Sequence, residues 1–235
     1  MAVNYFEKLY TSSFPSHISK VTETIPTRVT NEVNQELIKE FSRKEVATAL
    51  QQMHLTNAPS LNGMSAIFFQ NYWDIVGNDV TCMALNVLNN NMPIFETNRT
   101  NIVLVPKTKN PSMMFEFRPI SLTNVVYKLI SKVLANRLKA ILPQIISKNQ
   151  SSFLSKCLII DNVLVAFELM HYLDHKREGK DCYMVIKLDM SKAYARVEWG
   201  FIEKVMERMR FHEKWTRLIM HFNVQWGIPW VHHPY

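Results

Sequence analysis

Three short stretches of this 235-residue chain hold residue types that suit phosphoryl transfer to a nucleotide. Lys107 follows the β-branched run NIVLVP, Arg118 begins the turn Arg-Pro-Ile-Ser, and Asp189 ends the apolar run YMVIKLD, with Tyr194 five residues later. Two cations can hold a triphosphate, a carboxylate can hold Mg²⁺ against phosphate oxygens, and an aromatic ring can pack on a sugar. Together the residues indicate a nucleotide site.

Each of these residues also has a plainer interpretation. Lys107 and Arg118 can be solvated surface charges, and Asp189 can be a turn residue or a helix cap. Residue types alone leave both interpretations open.

Other catalytic patterns are absent from the sequence. The chain has no GxxxxGK[ST] or GxGxxG phosphate loop, no HExxH pair and no nucleophile elbow. His171 and His175 have the i, i+4 spacing of helical metal ligands, but the charges of Asp174, Lys176 and Arg177 beside them favour a solvated helix face.

Composition bounds the class of protein. With 47% hydrophobic and 20% charged residues, the chain can bury a core as one large domain or two small ones. It shows neither a membrane-spanning stretch nor a signal peptide, and its three separated cysteines fit neither a disulfide framework nor a metal knuckle. We therefore expect a soluble intracellular protein without a membrane partner.

The net charge of +7 is concentrated in one part of the chain. Residues 99–148, the basic segment, hold nine cations and one acid, Glu116, and so carry +8. Clustered cations indicate a polyanionic partner, because neutralised phosphates release condensed counterions, although a solvated helix face remains the alternative. The nine are Arg99, Lys107, Lys109, Arg118, Lys128, Lys132, Arg137, Lys139 and Lys148.

Hydrophobic periodicity predicts the elements that must position these residues. The capping-box pair Ser42 and Glu45 divides residues 31–53 into two helices. Residues 110–124 hold two prolines and predict a loop or an irregular hairpin. The remaining predictions are strands at 101–107 and 183–188 and helices at 4–14, 67–76, 80–89, 125–146, 161–177, 199–209 and 213–222.

The order of these stretches resembles one known family. The run NIVLVPKTKNPSMMFEFRPISLTNVVYKLISKVLANRL, followed by NQSSF, DNVLVAFELMH and KLDMSKAYARVEW, resembles the reverse transcriptase of plant non-LTR (LINE-type) retrotransposons over nearly all of residues 4–222. The resemblance implies an RNA-directed DNA polymerase with an α+β right-hand architecture. This chain would supply the fingers and part of the palm, rich in helices with a few short antiparallel strands.

The resemblance also divides the chain. It implies an N-terminal helical extension at 1–56, a fingers-like region at 57–182, the first part of the palm at 183–222 and an unmatched tail at 223–235.

Family roles transfer to individual residues of this sequence. By resemblance, Lys107 and Arg118 grip the incoming triphosphate, Asp189 is a metal-binding carboxylate, and Tyr194 excludes a ribose 2′-hydroxyl by its bulk. Template contacts in the NQSSF block fall to Asn149, Gln150 and Phe153. The implied cofactor is Mg²⁺, the implied partners are an RNA template, a DNA primer and a deoxynucleoside triphosphate, and the implied compartment is the nucleus.

The sequence departs from the family pattern in several places. Ala195 stands where the family has a second aspartate, NAPSLNG at 57–63 stands for a KAPGPDG-like block, and Lys156-Cys157 stands for Gly-Arg. The Gln-Gly-x-Pro block and the paired aspartates that complete the metal site are absent from these 235 residues. We therefore expect a truncated polymerase that is inactive alone, because one carboxylate does not hold two Mg²⁺ ions.

An incomplete palm would have a second consequence, and two other interpretations of the function remain open. An exposed palm surface would favour self-association. The alternatives are a non-catalytic nucleic-acid-binding remnant that uses the basic segment, and a decayed open reading frame without function.

Overall fold

The structure, a computed structural model, describes residues 2–12, 15–55, 63–94, 100–147, 149–150, 158–176, 183–188 and 197–224. Of the predicted site residues, Lys107, Arg118, Asn149 and Gln150 are among them. Phe153, Asp189 and Tyr194 lie outside the described residues, as does Ala195.

The N-terminal part forms four helices: α1 (Ala2–Tyr10), α2 (Ile18–Thr22), α3 (Asn31–Ile38) and α4 (Arg43–Gln51). The predicted pair of helices meeting near residues 41–42 is confirmed as α3 and α4. The capping box forms, because the Ser42 hydroxyl accepts the Glu45 N–H and the Glu45 carboxylate accepts the Ser42 N–H. The short α2 lies between the predicted helices, in a stretch for which the sequence predicted no element.

Two helices follow, α5 (Ala66–Asn71) and α6 (Trp73–Asn90). The break lies at Tyr72, earlier than predicted, because residues 73–90 form one continuous helix. Gly77 leaves room for the Trp73 ring one turn earlier, since a Cβ at that position would come within 2.7 Å of the ring. The helix ends at Asn91, whose φ of 53° gives the left-handed turn that often terminates helices.

A hairpin of two antiparallel strands precedes the longest helix. Strand β1 (Asn101–Pro106) pairs with β2 (Phe117–Leu122), and a 3₁₀ turn at Met114–Glu116 leads into β2. The predicted strand at 101–107 is confirmed, and the proline-rich stretch after it is the second half of a hairpin. Pro119 is tolerated within β2 because each strand of a two-stranded sheet is an edge strand.

Helix α7 (Val125–Ile145) matches its prediction closely. Asn124 begins it, with its Oδ1 accepting the Val126 N–H at 2.8 Å and the Tyr127 N–H at 3.3 Å. Pro143 lies in the last turn and the helix ends two residues later. The apolar stripe that the periodicity of this helix predicts is buried at Leu129, Ile130, Val133, Leu134, Ile141 and Ile145 and half-buried at Val126, Leu138 and Leu142.

The remaining helices are α8 (Ile159–His175), α9 (Trp199–Arg208) and α10 (Glu213–Val224). One hydrophobic core joins α10 and α9 to α3, α4, α6 and α7. Asn34 of α3 fixes the turn between α9 and α10, because its amide donates to Arg210 O at 2.8 Å and accepts the His212 N–H at 2.7 Å. The Tyr127 hydroxyl donates to Phe222 O at 3.2 Å. Helices far apart in sequence, from α3 to α10, therefore contribute to one core.

The predicted strand at 183–188 is wrong, because the structure gives these residues no secondary structure. A strand needs a neighbour for its ladder hydrogen bonds, and among the described residues β1 and β2 pair only with each other. The segment therefore leaves its apolar side chains exposed, and so does α8. The α+β class still holds, with helices dominating and two antiparallel strands. No helix of the described part is long and apolar enough to cross a membrane.

Candidate functional site

The hairpin brings two predicted site residues together. Val105 pairs with Arg118 across the sheet, and Lys107 lies two residues beyond Val105. Lys107 lies one residue past the end of β1, and its N–H donates to Glu116 O and so extends the ladder. Because side chains alternate between the faces of a ladder, Lys107 and Arg118 share one face as diagonal neighbours, roughly 7–8 Å apart. Their association follows from the register.

That face of the hairpin is open to solvent. Lys107 and Arg118 are exposed, and so are the apolar side chains beside them, Val103, Val105 and Ile120. The opposite face is mostly half-buried. The two cations on this open face are accessible to an anionic ligand such as a phosphate chain.

The loop between the two strands has a defined conformation. The Glu116 Oε2 accepts the backbone N–H groups of Ser112 at 2.7 Å and Met113 at 2.8 Å. These hydrogen bonds lower the pKa of Glu116, because they favour the charged carboxylate. The bond from Met113 has the larger effect and the bond from Ser112 the smaller. The loop is therefore closed by its own acid.

Lys107 is tied into the same loop. Its N–H donates to Glu116 O at 2.7 Å, and its Nζ donates to Phe115 O at 2.8 Å. An ammonium group has three donors, so this side-chain contact leaves two that it does not use. The loop therefore fixes where the ammonium charge lies and leaves it able to bind an anion.

Arg137 does not belong to a polyanion-binding surface, although the sequence counted it among the basic segment. Its Nε lies 2.6 Å from Glu45 Oε1 and its Nη2 lies 3.0 Å from Glu45 Oε2, a bidentate ion pair. It also donates to the carbonyls of Leu37, Lys39 and Glu40 at the end of α3. The guanidinium covers the Phe41 ring at 3.5 Å. Arg137 therefore joins α7 to α3 and α4.

The other cations of the basic segment differ in exposure. Lys109 and Lys139 are exposed, whereas Lys128 and Lys132 are half-buried. Burial lowers the pKa of Lys128, because desolvation disfavours its charged form. Arg99 and Lys148 lie outside the described residues. In the described part of the chain, fewer cations of the basic segment are therefore exposed than the nine that the sequence contains.

The two described residues that were predicted to contact the template lie away from β2. Asn149 and Gln150 form a turn after α7, where the Gln150 N–H donates to Ser147 O at 3.0 Å. Helix α7 has 21 residues and spans roughly 30 Å at 1.5 Å per residue. Asn149 and Gln150 therefore lie at the opposite end of α7 from the hairpin.

No metal centre is assembled in the described part of the chain, where no three potential ligands from His, Cys, Asp and Glu come together. His171 and His175 stack with ring centroids 4.1 Å apart on exposed α8, and His175 Nδ1 lies 2.9 Å from His171 O. That pair supplies two potential ligands without a third.

The roles of two residues escaped the sequence predictions: Glu116 in the hairpin loop, and Arg137 in the packing of α7. Glu116 carried a signal, since it is the single acid among nine cations in the basic segment. Arg137 carried no comparable signal, because its partner Glu45 lies 92 residues away in sequence.

Comparisons with known proteins identify the family of this chain. The family model described as reverse transcriptase (RNA-dependent DNA polymerase) matches residues 105–232, beginning two residues before Lys107. The chain is 28% identical over 167 residues, 71% of its length, to the transposon TX1 uncharacterized 149 kDa protein of Xenopus laevis. It is 30% identical over 114 residues, 47% of its length, to the retrovirus-related Pol polyprotein from type-1 retrotransposable element R2 of Popillia japonica. The chain spans 12% and 15% of the lengths of these relatives.

Proposed function

Because this chain belongs to the reverse transcriptase (RNA-dependent DNA polymerase) family, we propose that it is the fingers and early palm of a LINE-type polymerase. The observation that carries the proposal is the strand register that puts Lys107 and Arg118 on one exposed face. The names of the TX1 and R2 relatives support a non-LTR element as its source. A plant origin rests on the sequence resemblance alone.

The hairpin is the part of the chain that holds the nucleotide. Lys107 and Arg118 are cations on one exposed face, so they bind a triphosphate through charge-assisted hydrogen bonds. Arg118 supplies a planar fork that matches phosphate oxygens, and Lys107 supplies a compact point charge. The exposed apolar side chains beside them give the nucleoside a surface to cover.

The remaining roles follow from the family motifs. Asn149, Gln150 and Phe153 contact the RNA template, and Tyr194 excludes ribonucleotides by occupying the space of a 2′-hydroxyl. The other partners are a DNA primer and a deoxynucleoside triphosphate, and the proposed compartment is the nucleus. The domain division at residues 56, 182 and 222 belongs to the same proposal.

The family chemistry requires a pair of adjacent aspartates beside the first carboxylate ligand. A bound pair of Mg²⁺ ions would supply activation of the primer 3′-hydroxyl and charge neutralisation at the pyrophosphate. Asp189 is the carboxylate that the family motif offers, and the sequence contains no pair of adjacent aspartates to join it. This donor set does not fit two metal ions. We therefore infer that the 235-residue chain binds nucleotides without joining them.

Two assays test this proposal. Alanine at Lys107 or Arg118 weakens binding of deoxythymidine triphosphate about tenfold or more, because each substitution removes a charge-assisted hydrogen bond. Lys139→Ala, which removes an exposed cation from α7, leaves that affinity unchanged. Equal losses in all three variants would contradict a nucleotide site.

In a primer-extension assay with Mg²⁺ and an RNA template, we expect no added nucleotides from the 235-residue chain, and any extension would refute the inferred inactivity.

A non-catalytic nucleic-acid-binding remnant is the second candidate function. The exposed cations Lys107, Lys109, Arg118 and Lys139 favour it, since they present positive charge without ion pairs in the described part. This function predicts that each alanine variant weakens RNA binding slightly and makes its salt dependence shallower by about one unit. The nucleotide site instead predicts a selective loss of triphosphate binding.

Self-association is a further part of the proposal. Helix α8 and residues 183–188 expose apolar side chains of a kind that folded proteins normally bury. We propose that two copies of the chain cover these surfaces for each other.

A further inference from the structure

We propose that Glu116 is a positioning residue for the nucleotide grip, the pair of cations Lys107 and Arg118. Glu116 closes the loop between β1 and β2 and so holds the Lys107 ammonium on the face that carries Arg118. This inference rests on the proposed nucleotide site and adds to it a residue that does not itself touch the ligand.

Four hydrogen bonds connect Glu116 and Lys107 through the loop. The Glu116 carboxylate accepts two backbone N–H groups, from Ser112 at 2.7 Å and Met113 at 2.8 Å. The Glu116 carbonyl accepts the Lys107 N–H at 2.7 Å, and the Lys107 Nζ donates to the neighbouring carbonyl, that of Phe115, at 2.8 Å. The carboxylate thus orders the residues whose backbone holds the ammonium.

The hydrogen-bond partners of the Glu116 carboxylate show that it does not act by pairing with the two cations. Within the described residues, Glu116 forms no ion pair with Lys107 or Arg118, and its contacts go to the loop backbone instead. The two cations therefore keep their charge for a ligand. An acid placed beside anion-binding cations weakens anion binding by Coulomb repulsion unless it contributes through geometry. Removing the Glu116 charge should therefore strengthen anion binding if the acid acts by repulsion, and weaken it if the acid acts by ordering the loop.

Removing the charge has a definite physical consequence. A carboxylate accepts backbone N–H bonds about twice as strongly as a neutral group, so Glu116→Gln weakens both closing bonds. The loop then samples more conformations, and binding must order Lys107 at an entropic cost. Triphosphate affinity falls even though the local charge becomes more positive.

A double-mutant cycle tests the inference on the whole chain, with deoxythymidine triphosphate as the probe. The variants are Glu116→Gln, Lys107→Ala and the two combined. We expect Glu116→Gln to weaken binding about fivefold in the wild-type background and to have no effect in the Lys107→Ala background. Glu213→Gln, which removes an exposed acid from α10, serves as the matched control and should leave binding unchanged.

The other outcomes overturn the inference in distinct ways. Tighter binding by Glu116→Gln would show that the acid acts by repulsion, and equal losses in both backgrounds would show that it acts independently of Lys107. If Lys107→Ala itself leaves binding unchanged, the proposed nucleotide site fails. If Lys107→Ala weakens binding and Glu116→Gln does not, only the role of Glu116 fails.

Amide hydrogen exchange provides a second measurement that needs no ligand. The N–H groups of Ser112 and Met113 should exchange faster in Glu116→Gln than in the wild type, because their acceptor is weakened. Unchanged exchange at both positions would overturn the closing role of the carboxylate.

Discussion

At the scale of single residues, charge type alone does not reveal what a cation does. Lys107, Arg118 and Arg137 contribute equally to the +8 of the basic segment. The structure puts the first two on an open hairpin face. The third pairs with Glu45 and joins α7 to α3 and α4, an arrangement called here the Arg137 clamp. The sequence could name the first pair through residue type and the family resemblance, but not the register that puts both on one face. It could not predict the clamp, whose two partners meet only through the packing of α7 on α4.

The Arg137 clamp should be a large contributor to stability. Arg137→Ala should lower the free energy of unfolding by about 2–4 kcal/mol, because it leaves Glu45 and the last carbonyls of α3 without their donor. The Arg137 side chain is only 11% exposed, whereas both side chains of the Arg217–Glu213 pair are more than half exposed. Arg217→Ala is therefore the control and should cost under about 0.5 kcal/mol. Equal urea midpoints for the two variants would contradict the clamp.

The same clamp predicts a pH dependence. Burial alone would raise the pKa of Glu45, but hydrogen bonds from Arg137 and Ser42 bring it below its ordinary value of 4.5. A lowered folded-state pKa adds stability above the unfolded value, and that stability is lost as pH falls through the folded-state value. Wild type should therefore exceed Glu45→Gln in urea stability at neutral pH, with the difference shrinking below pH 4.5. Parallel pH curves for the two proteins would refute the assignment.

At the scale of elements, the sequence predicted what depends on neighbours along the chain. The capping box at Ser42, the strand at 101–107 and the apolar stripe of α7 all formed where expected. The strand at 183–188 did not form, because a strand requires a pairing partner that its own residues cannot supply. The hairpin's second strand was obscured by Pro119, which an edge strand tolerates. Local patterns therefore predict helices better than they predict strand pairing.

The N-cap of α7 offers a test at this scale. Asn124→Ala should lower the free energy of unfolding by about 1 kcal/mol, because its side chain accepts two N–H groups, at 2.8 and 3.3 Å. Thr30→Ala is the matched control, since its side chain accepts one N–H of α3 at 3.4 Å. Chemical denaturation should show the larger loss for Asn124→Ala. The reverse order would contradict the capping geometry.

At the scale of the whole molecule, one core coexists with an uncovered apolar surface. Helix α8 exposes residues around its circumference, a composition typical of a buried helix. From the family resemblance the sequence predicted an exposed palm surface, and the apolar side chains of residues 183–188 are exposed. It did not predict the exposed surface of α8, whose apolar composition is that of a helix covered by neighbours.

This surface should drive association. Multi-angle light scattering should show a mass that rises with protein concentration, and Leu164→Glu combined with Phe167→Glu on α8 should shift the chain towards monomer. Ile75→Glu, at an exposed apolar position on α6, should not. A wild-type chain that stays monomeric across the concentration range would refute self-association.

The most direct test of the central claim compares phosphate number in the ligand. Isothermal titration of the wild-type chain with deoxythymidine mono-, di- and triphosphate measures whether the hairpin cations recognise a phosphate chain. We predict that affinity rises about tenfold from monophosphate to triphosphate and that the rise disappears when both Lys107 and Arg118 are alanine. Equal affinity for the three nucleotides, or a rise that survives the double substitution, would contradict the nucleotide grip.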